Sequence, residues 1–176
     1  ADERAGFEAA VRAPVHAAPL AELVRPGESL AIATTDGTRA MPNRRIIPWL
    51  LDELQGKPSQ VTVITGTGSH RPNTPDELLA MFGERVMDEC RVVNHSAFDD
   101  STLVEVGTTP RGNRVRFCKE YVQADRKIVL GFIEPHFFAG FSGGPKALLP
   151  GIAAIDSIMD FHDAYLIGHP KSTWGI

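Results

Sequence analysis

The chain has 176 residues, of which 43% are apolar and 23% charged, and a net charge of −4; these values fit one soluble domain built around a single hydrophobic core. No apolar run approaches the roughly 18 residues that could span a bilayer, and the basic residues are scattered rather than gathered into a stripe, so neither a membrane nor nucleic acid is expected as a partner. Cys90 and Cys118 lack CxxC spacing, which suits resting thiols in a reducing cytoplasm.

The chain opens Ala1-Asp2-Glu3-Arg4, with neither an initiator methionine nor a signal-peptide profile, so its start is expected to be a cut one. Leu30–Thr34 is the first continuous apolar run. A helix is predicted from near Asn43, with Ile46, Ile47, Leu50, Leu51 and Leu54 on one stripe and Gly56 as its cap. Val61–Thr65 is the second strand. Thr74-Pro75-Asp76-Glu77 then opens another helix: Thr74 can cap, Pro75 suits the first position and Glu77 completes a capping box. Leu78, Leu79 and Phe82 form its expected buried side. Arg91–Val93, Lys127–Ile133 and Ala164–Ile167 read as further strands. Between the last two, Ile152–His162 reads as a helix, with Ile155, Ile158, Met159 and His162 on one apolar face and Asp156, Asp160 and Asp163 elsewhere.

Continuous rather than alternating apolar strands are those of a sheet buried on both faces. Strands alternating with helices therefore predict a single α/β domain over residues 1–176, a mostly parallel, Rossmann-like sheet flanked by helices, with no repeat or linker. Four of these strands end in chemically able residues: Asp36-Gly37-Thr38-Arg39, Gly66-Thr67-Gly68-Ser69-His70-Arg71, Asn94-His95 and Glu134-Pro135-His136. Ligands of open α/β sheets bind outside the carboxyl ends of the strands, so these turns are expected to converge on one crevice.

His70 sits beside two glycines that let its loop bend tightly, and it reads equally as a ligand-facing residue or a surface histidine bonded to its own loop. His136 leaves its strand after Pro135, which fixes the direction of exit and could aim the imidazole into the crevice. Ser142-Gly143-Gly144-Pro145-Lys146 is a turn able to cradle an anion and present a lysine. It is not a P-loop, because Pro145 and Ala147 stand where that motif needs Gly and Ser or Thr. A lysine held there is a candidate for covalent attachment, against the alternative of a solvated amine. His162 alone would read as a core histidine, His95 as structural or supporting, and His16 and His169 as without function.

Together, Asp36-Gly37-Thr38-Arg39, Gly66 to Pro72, Asn94-His95, Pro135 to Lys146, Leu149-Pro150-Gly151 and His162 resemble the nickel-pincer lactate racemase family. The resemblance runs from about Leu20 to the end, with ten residues from His136 to Lys146 and sixteen from Lys146 to His162. It implies the cofactor-carrying N-terminal domain of a two-domain isomerase. Lys146 would tether a pyridinium dithio-acid pincer mononucleotide through a thioamide, beside Ser142, Gly143 and Gly144, and His162 would ligate its nickel, a donor set that suits Ni(II). His70 and His136 would be the acid/base pair, and Asp36 and Arg39 would hold substrate. Racemising a 2-hydroxy acid by proton-coupled hydride transfer needs proton acceptors for both enantiomers, and imidazoles titrate in the useful range.

Cofactor-maturation enzymes are the further partners implied. Family members are more than twice as long, so the chain is expected to be a fragment without the C-terminal domain that closes over the substrate, and inactive alone. Phe161 departs from the asparagine usual before the nickel-binding histidine. Two other functions fit the residues: a zinc hydrolase using His70, His136 and His162 as ligands, and a non-catalytic domain binding a small anion at the glycine-rich turn.

Overall fold

The computed structural model describes residues 2–175. In chain order the elements are α1 (Glu3–Arg12), α2 (Leu20–Leu23), β1 (Ser29–Thr35), α3 (Asn43–Leu54), β2 (Gln60–Gly66), α4 (Pro75–Glu89) and β3 (Arg91–Asn94). There follow β4 (Leu103–Thr108), β5 (Arg114–Cys118), α5 (Lys119–Gln123), β6 (Arg126–Val129), β7 (Pro135–His136), β8 (Gly140–Phe141), α6 (Ile155–Phe161) and α7 (Ala164–Ile167). β1, β2, β3 and β6 form one parallel sheet in the order β3-β2-β1-β6, with Leu30 opposite Val61 on one side and Arg126 on the other.

The sheet is an α/β layer because β1 is buried from Leu30 to Thr34 and its side chains alternate between two cores. Leu30 and Ile32 pack with Ile47, Leu50 and Leu54 of α3 and Phe82 and Val86 of α4. Ala31 and Ala33 face the opposite layer, against Tyr121 of α5, Cys118 and Ile152. Small residues on that side let the Ile152 segment lie close to the sheet. The α4 start matches expectation: Thr74 Oγ1 accepts from the Glu77 amide at 3.2 Å and the Glu77 carboxylate accepts from the Thr74 amide at 2.7 Å. Arg71 also grips that carboxylate, and its hydrogen bonds help to hold the Glu77 carboxyl down to about 2.

Four sequence expectations change. Leu79 is 44% exposed, because the buried stripe of α4 runs through Phe82 and Val86, with Leu78 packed behind, and Leu79 sits about 100° round the helix. The turn after α3 begins at Gln55, left-handed at φ 50°, one residue before Gly56. The strand predicted over Lys127–Ile133 ends at Val129; after Leu130 donates to the Ala33 carbonyl, the chain turns off to pack Gly131 against Gly143, where a Cβ would lie 2.7 Å from the Gly143 Cα. Ala164–Ile167 is a short helix, capped by the Asp163 carboxylate on the Leu166 amide at 2.7 Å. Four apolar residues carry too little periodicity to separate helix from strand. α1, α2 and the β4–β5 hairpin were not anticipated; the last stands apart from the main sheet as a two-stranded antiparallel ribbon with a bulge between Glu105 and Gly107.

Candidate active site

Sheet order reverses between β1 and β6, and outside their carboxyl ends lies a cavity of about 460 Å³. Such a switch point is where open α/β sheets bind ligands. Asp36, Arg39, His70, His136, Ser142, Gly143, Lys146 and His162 all line it. His70 arrives on the loop after β2 and His136 by way of β6, so the two imidazoles approach from opposite sides of β1.

Asp36 is buried and its carboxylate is fully engaged. Oδ1 accepts from the Thr38 hydroxyl at 2.6 Å, and Oδ2 lies 2.8 Å from His70 Nδ1. An ionised carboxylate can only accept, so the neutral His70 ring carries its proton on Nδ1 and keeps a lone pair on Nε2. The ring is 56% exposed, open to the crevice. Its loop is held by the Gly68 amide on the Gly151 carbonyl at 2.8 Å, with Gly68 left-handed at φ 55°.

His136 has the opposite polarity. Its Nδ1 accepts from the Ala139 amide at 3.3 Å, so the neutral ring carries its proton on Nε2. The ring stacks on Phe137 at 4.7 Å and meets the edge of Phe138. Burial, aided by the positive charges of Lys146 and Arg39, pushes its pKa down.

Lys146 stands on the 3₁₀ turn Gly144–Ala147, half-buried, with Nζ 5.8 Å from the centre of the Phe138 ring. Among the described residues no carboxylate lies within ion-pair distance of it. Burial, reinforced by Arg39, lowers its pKa, which raises the share of free amine. Ser142 does not offer its hydroxyl to the cavity: it donates to the Phe132 carbonyl at 2.6 Å and accepts from the Glu134 amide at 3.1 Å. Gly144 lies outside the cavity lining, and Gly143, at φ 74°, serves the close packing on Gly131.

His162 caps the end of α6, and its Nδ1 lies 2.8 Å from the Ile158 carbonyl oxygen, which can only accept. That contact places a proton on Nδ1 and leaves the Nε2 lone pair free. The rings of Phe138 and Phe161 stand edge-on to it at 5.2 and 5.5 Å. On the same helix Ile158 is buried, whereas Met159, expected in the core, is 61% exposed at the cavity. His95 is buried away from the cavity, with Nε2 donating to the Ala153 carbonyl at 2.9 Å. His16 and His169 also lie off it.

Two cavity residues escaped the sequence reading. Phe138 touches His136, His162 and Lys146 at once, a role signalled only by its place beside His136. Thr35 lines the cavity, and its buried hydroxyl has no partner among the described residues. Among the described residues no three His, Cys, Asp or Glu side chains are gathered for a metal ion, so a three-histidine zinc centre lacks its ligand set.

The sheet order and the crevice at its switch point define a Rossmann-like domain of the α/β class. The family model for the lactate racemase N-terminal domain matches residues 1–175, and the chain belongs to that family; the match begins at residue 1 rather than near Leu20. The chain is 38% identical over 175 residues to the lactate racemase of Lactiplantibacillus plantarum, covering 98% of this chain and 41% of that protein. It is 37% identical over 169 residues to the lactate racemase of Thermoanaerobacterium thermosaccharolyticum, covering 95% of this chain and 40% of that one. The structure of the lactate racemase apoprotein from T. thermosaccharolyticum superposes with a TM-score of 0.93 at 35% identity, over 99% of this chain and 42% of that chain. A Thermotoga maritima protein shares the fold, with a TM-score of 0.78 at 24% identity over 98% of this chain and 43% of that one. The chain thus spans about two fifths of the length of the curated relatives it matches. No helix among the described residues is long and apolar enough to cross a membrane.

Proposed function

We propose that this domain carries the catalytic crevice of a racemase or epimerase of lactate-like 2-hydroxy acids, an isomerase that works with a nickel-pincer cofactor held on Lys146. The observation that carries the reading is one cavity uniting two imidazoles of opposite hydrogen-bond polarity, a half-buried lysine with no carboxylate in ion-pair distance among the described residues, and a third imidazole whose Nε2 makes no hydrogen bond among them.

These residues fit the cofactor. Lys146 would hold it through the amine, His162 would offer Nε2 to the nickel, and the unpartnered Thr35 hydroxyl is available to one of its polar groups. When bound, the group supplies a hydride acceptor and donor, chemistry that no amino-acid side chain provides. The protein supplies proton handling and orientation. His70, held by Asp36, accepts the substrate hydroxyl proton at Nε2 as the C–H bond breaks, giving a planar 2-keto acid. His136 offers its Nε2–H to a substrate oxygen; it becomes the base for the mirror-image substrate when it releases the Ala139 amide and its proton moves to Nδ1. Arg39, exposed at the rim, suits the substrate carboxylate. Asp36, with both oxygens engaged, acts through His70 and not on the substrate.

Phe132, Phe137 and Met159 are exposed around the mouth. This apolar rim supports closure by a C-terminal domain of the full-length protein, the chain spanning about two fifths of its relatives' length. Cofactor-maturation enzymes are the remaining partners of this reading, and cytoplasmic residence goes with it.

The test is intact-mass spectrometry with metal analysis of the full-length protein co-expressed with maturation enzymes, parent against Lys146→Ala. Nickel and a mass adduct in the parent alone support the reading. An identical adduct in both proteins, or zinc without an adduct, ends it.

A further inference from the structure

The β4–β5 hairpin takes no part in the sheet and contributes nothing to the cavity lining, yet it holds the one helix that ends in His162. β5 lies along the segment leading into α6. The Cys118 amide donates to the Ile152 carbonyl and the Ala154 amide donates to the Arg116 carbonyl, both at 2.9 Å, with Phe117 opposite Ala153 between them. Buried Ser157, in the first turn of α6, continues the contact: its hydroxyl accepts from the Arg116 amide at 3.0 Å and donates to the Arg114 carbonyl at 3.1 Å. The Arg116 side chain, 17% exposed, then clamps Asp156 at 2.8 Å and Asp100 at 2.6 Å.

A second grip lies just past the histidine. Arg111, at the hairpin tip, pairs with Asp163 and stacks over Tyr165 at 5.2 Å, while the other Asp163 oxygen caps α7. A seven-residue helix has little intrinsic stability, so its placement comes from what holds it. His162 is bracketed by hairpin contacts on either side.

We propose that the β4–β5 hairpin is the mount that sets His162 in the crevice, with Arg116 as the principal positioning residue and Arg111 as the lesser one. This rests on the reading of His162 as the nickel ligand only for its consequence; the positioning itself is a property of the chain. Loss of the Arg116 clamp lets α6 shift against the crevice; the Ile158 contact is made within the helix and travels with the His162 ring, so what is lost is the ring's edge contact with Phe138, which belongs to the turn between β7 and β8. Nε2, the atom that would bind a metal, is then carried off its place in the cavity. Exposed ion pairs contribute little, so the half-open Arg111 pair should matter less than Arg116, which is nearly enclosed.

Imidazole ring-proton shifts, recorded in the full protein prepared without cofactor and with isotope-labelled histidine, report this contact through the ring current of Phe138. In the parent, the His162 ring protons should carry that displacement, and Phe138→Leu should remove it. Arg116→Ala should move them toward the Phe138→Leu positions, Arg116→Lys should restore most of the parent signal, and Arg111→Ala should give a smaller move in the same direction. His70, held by Asp36 in a separate loop, is the internal control and should not move. Ser157→Ala replaces Arg116→Ala if that variant fails to fold. An unmoved His162 in a folded variant, or His70 moving together with it, overturns the proposal. Since no cofactor is present, these outcomes are independent of the mass and nickel result on Lys146.

Discussion

The two halves of the crevice are built in opposite ways. On the β1–β2 side, regular strands and capped helices bury a dense apolar layer, and the hydrogen-bonded pair Asp36–His70 is fastened onto their ends. On the β6 side the chain leaves the sheet at Val129 and reaches His162 through short strand pairs, a 3₁₀ turn and closely packed glycines. That irregular half carries His136, Lys146 and His162. The regular half thus fixes where the crevice is, while the irregular half supplies two of its three imidazoles and its lysine, whose placement depends on a few specific contacts.

The comparison breaks first at the chemistry. If the proposed reaction holds, His70→Ala and His136→Ala should each lower kcat about 10²- to 10⁴-fold in the loaded full-length enzyme, with the fold intact by circular dichroism. Asp36→Asn should cost roughly 10²-fold or more by unsettling the His70 tautomer, with little change in KM. Equal kcat for parent and Asp36→Asn would remove the orienting role.

Stability should follow the opposite pattern. Phe82→Ala, in the regular half and 1% exposed, should lower unfolding free energy by about 3–5 kcal/mol in urea titration. Next comes pH. His95 is 3% exposed and burial lowers its pKa from the ordinary 6.5, outweighing its bond to Ala153. The unfolded chain therefore binds the proton more readily: stability contributed by His95 is complete above pH 6.5 and lost as pH falls toward the folded-state value. The slope should not exceed about 1.4 kcal/mol per pH unit, and the urea midpoint of His95→Gln should depend less on pH over that window. Smallest is Leu79→Ala, expected within about 0.5 kcal/mol of the parent because the side chain faces solvent; a loss comparable to that of Phe82→Ala would mean that the α4 stripe has been misplaced.

What could be read in advance follows the same division. The apolar runs of β1, β2 and β3 and the Thr74–Glu77 box were legible because burial on both faces and capping leave local patterns. Lys146, His136 and His162 were singled out by the resemblance to the racemase family, which does not say what holds them. The Asp36–His70 bond spans 34 residues, and the Arg116–Asp156 clamp spans 40; neither leaves a local trace. The resemblance places Asp36 on the substrate and Ser142 beside the cofactor, and the structure adds the hydrogen bonds that occupy their side chains. The hairpin escaped because its strands mix charged and apolar residues and rest on α6 instead of the sheet.

The contrary settings of the two imidazoles give the crevice a polarity of its own. One wall offers a lone pair and the other a proton, so a guest bearing a hydroxyl next to a carbonyl oxygen would satisfy both walls in only one orientation. Two contacts can be met by either enantiomer, so mirror images would part company only at a third, the side toward which each directs its C–H bond.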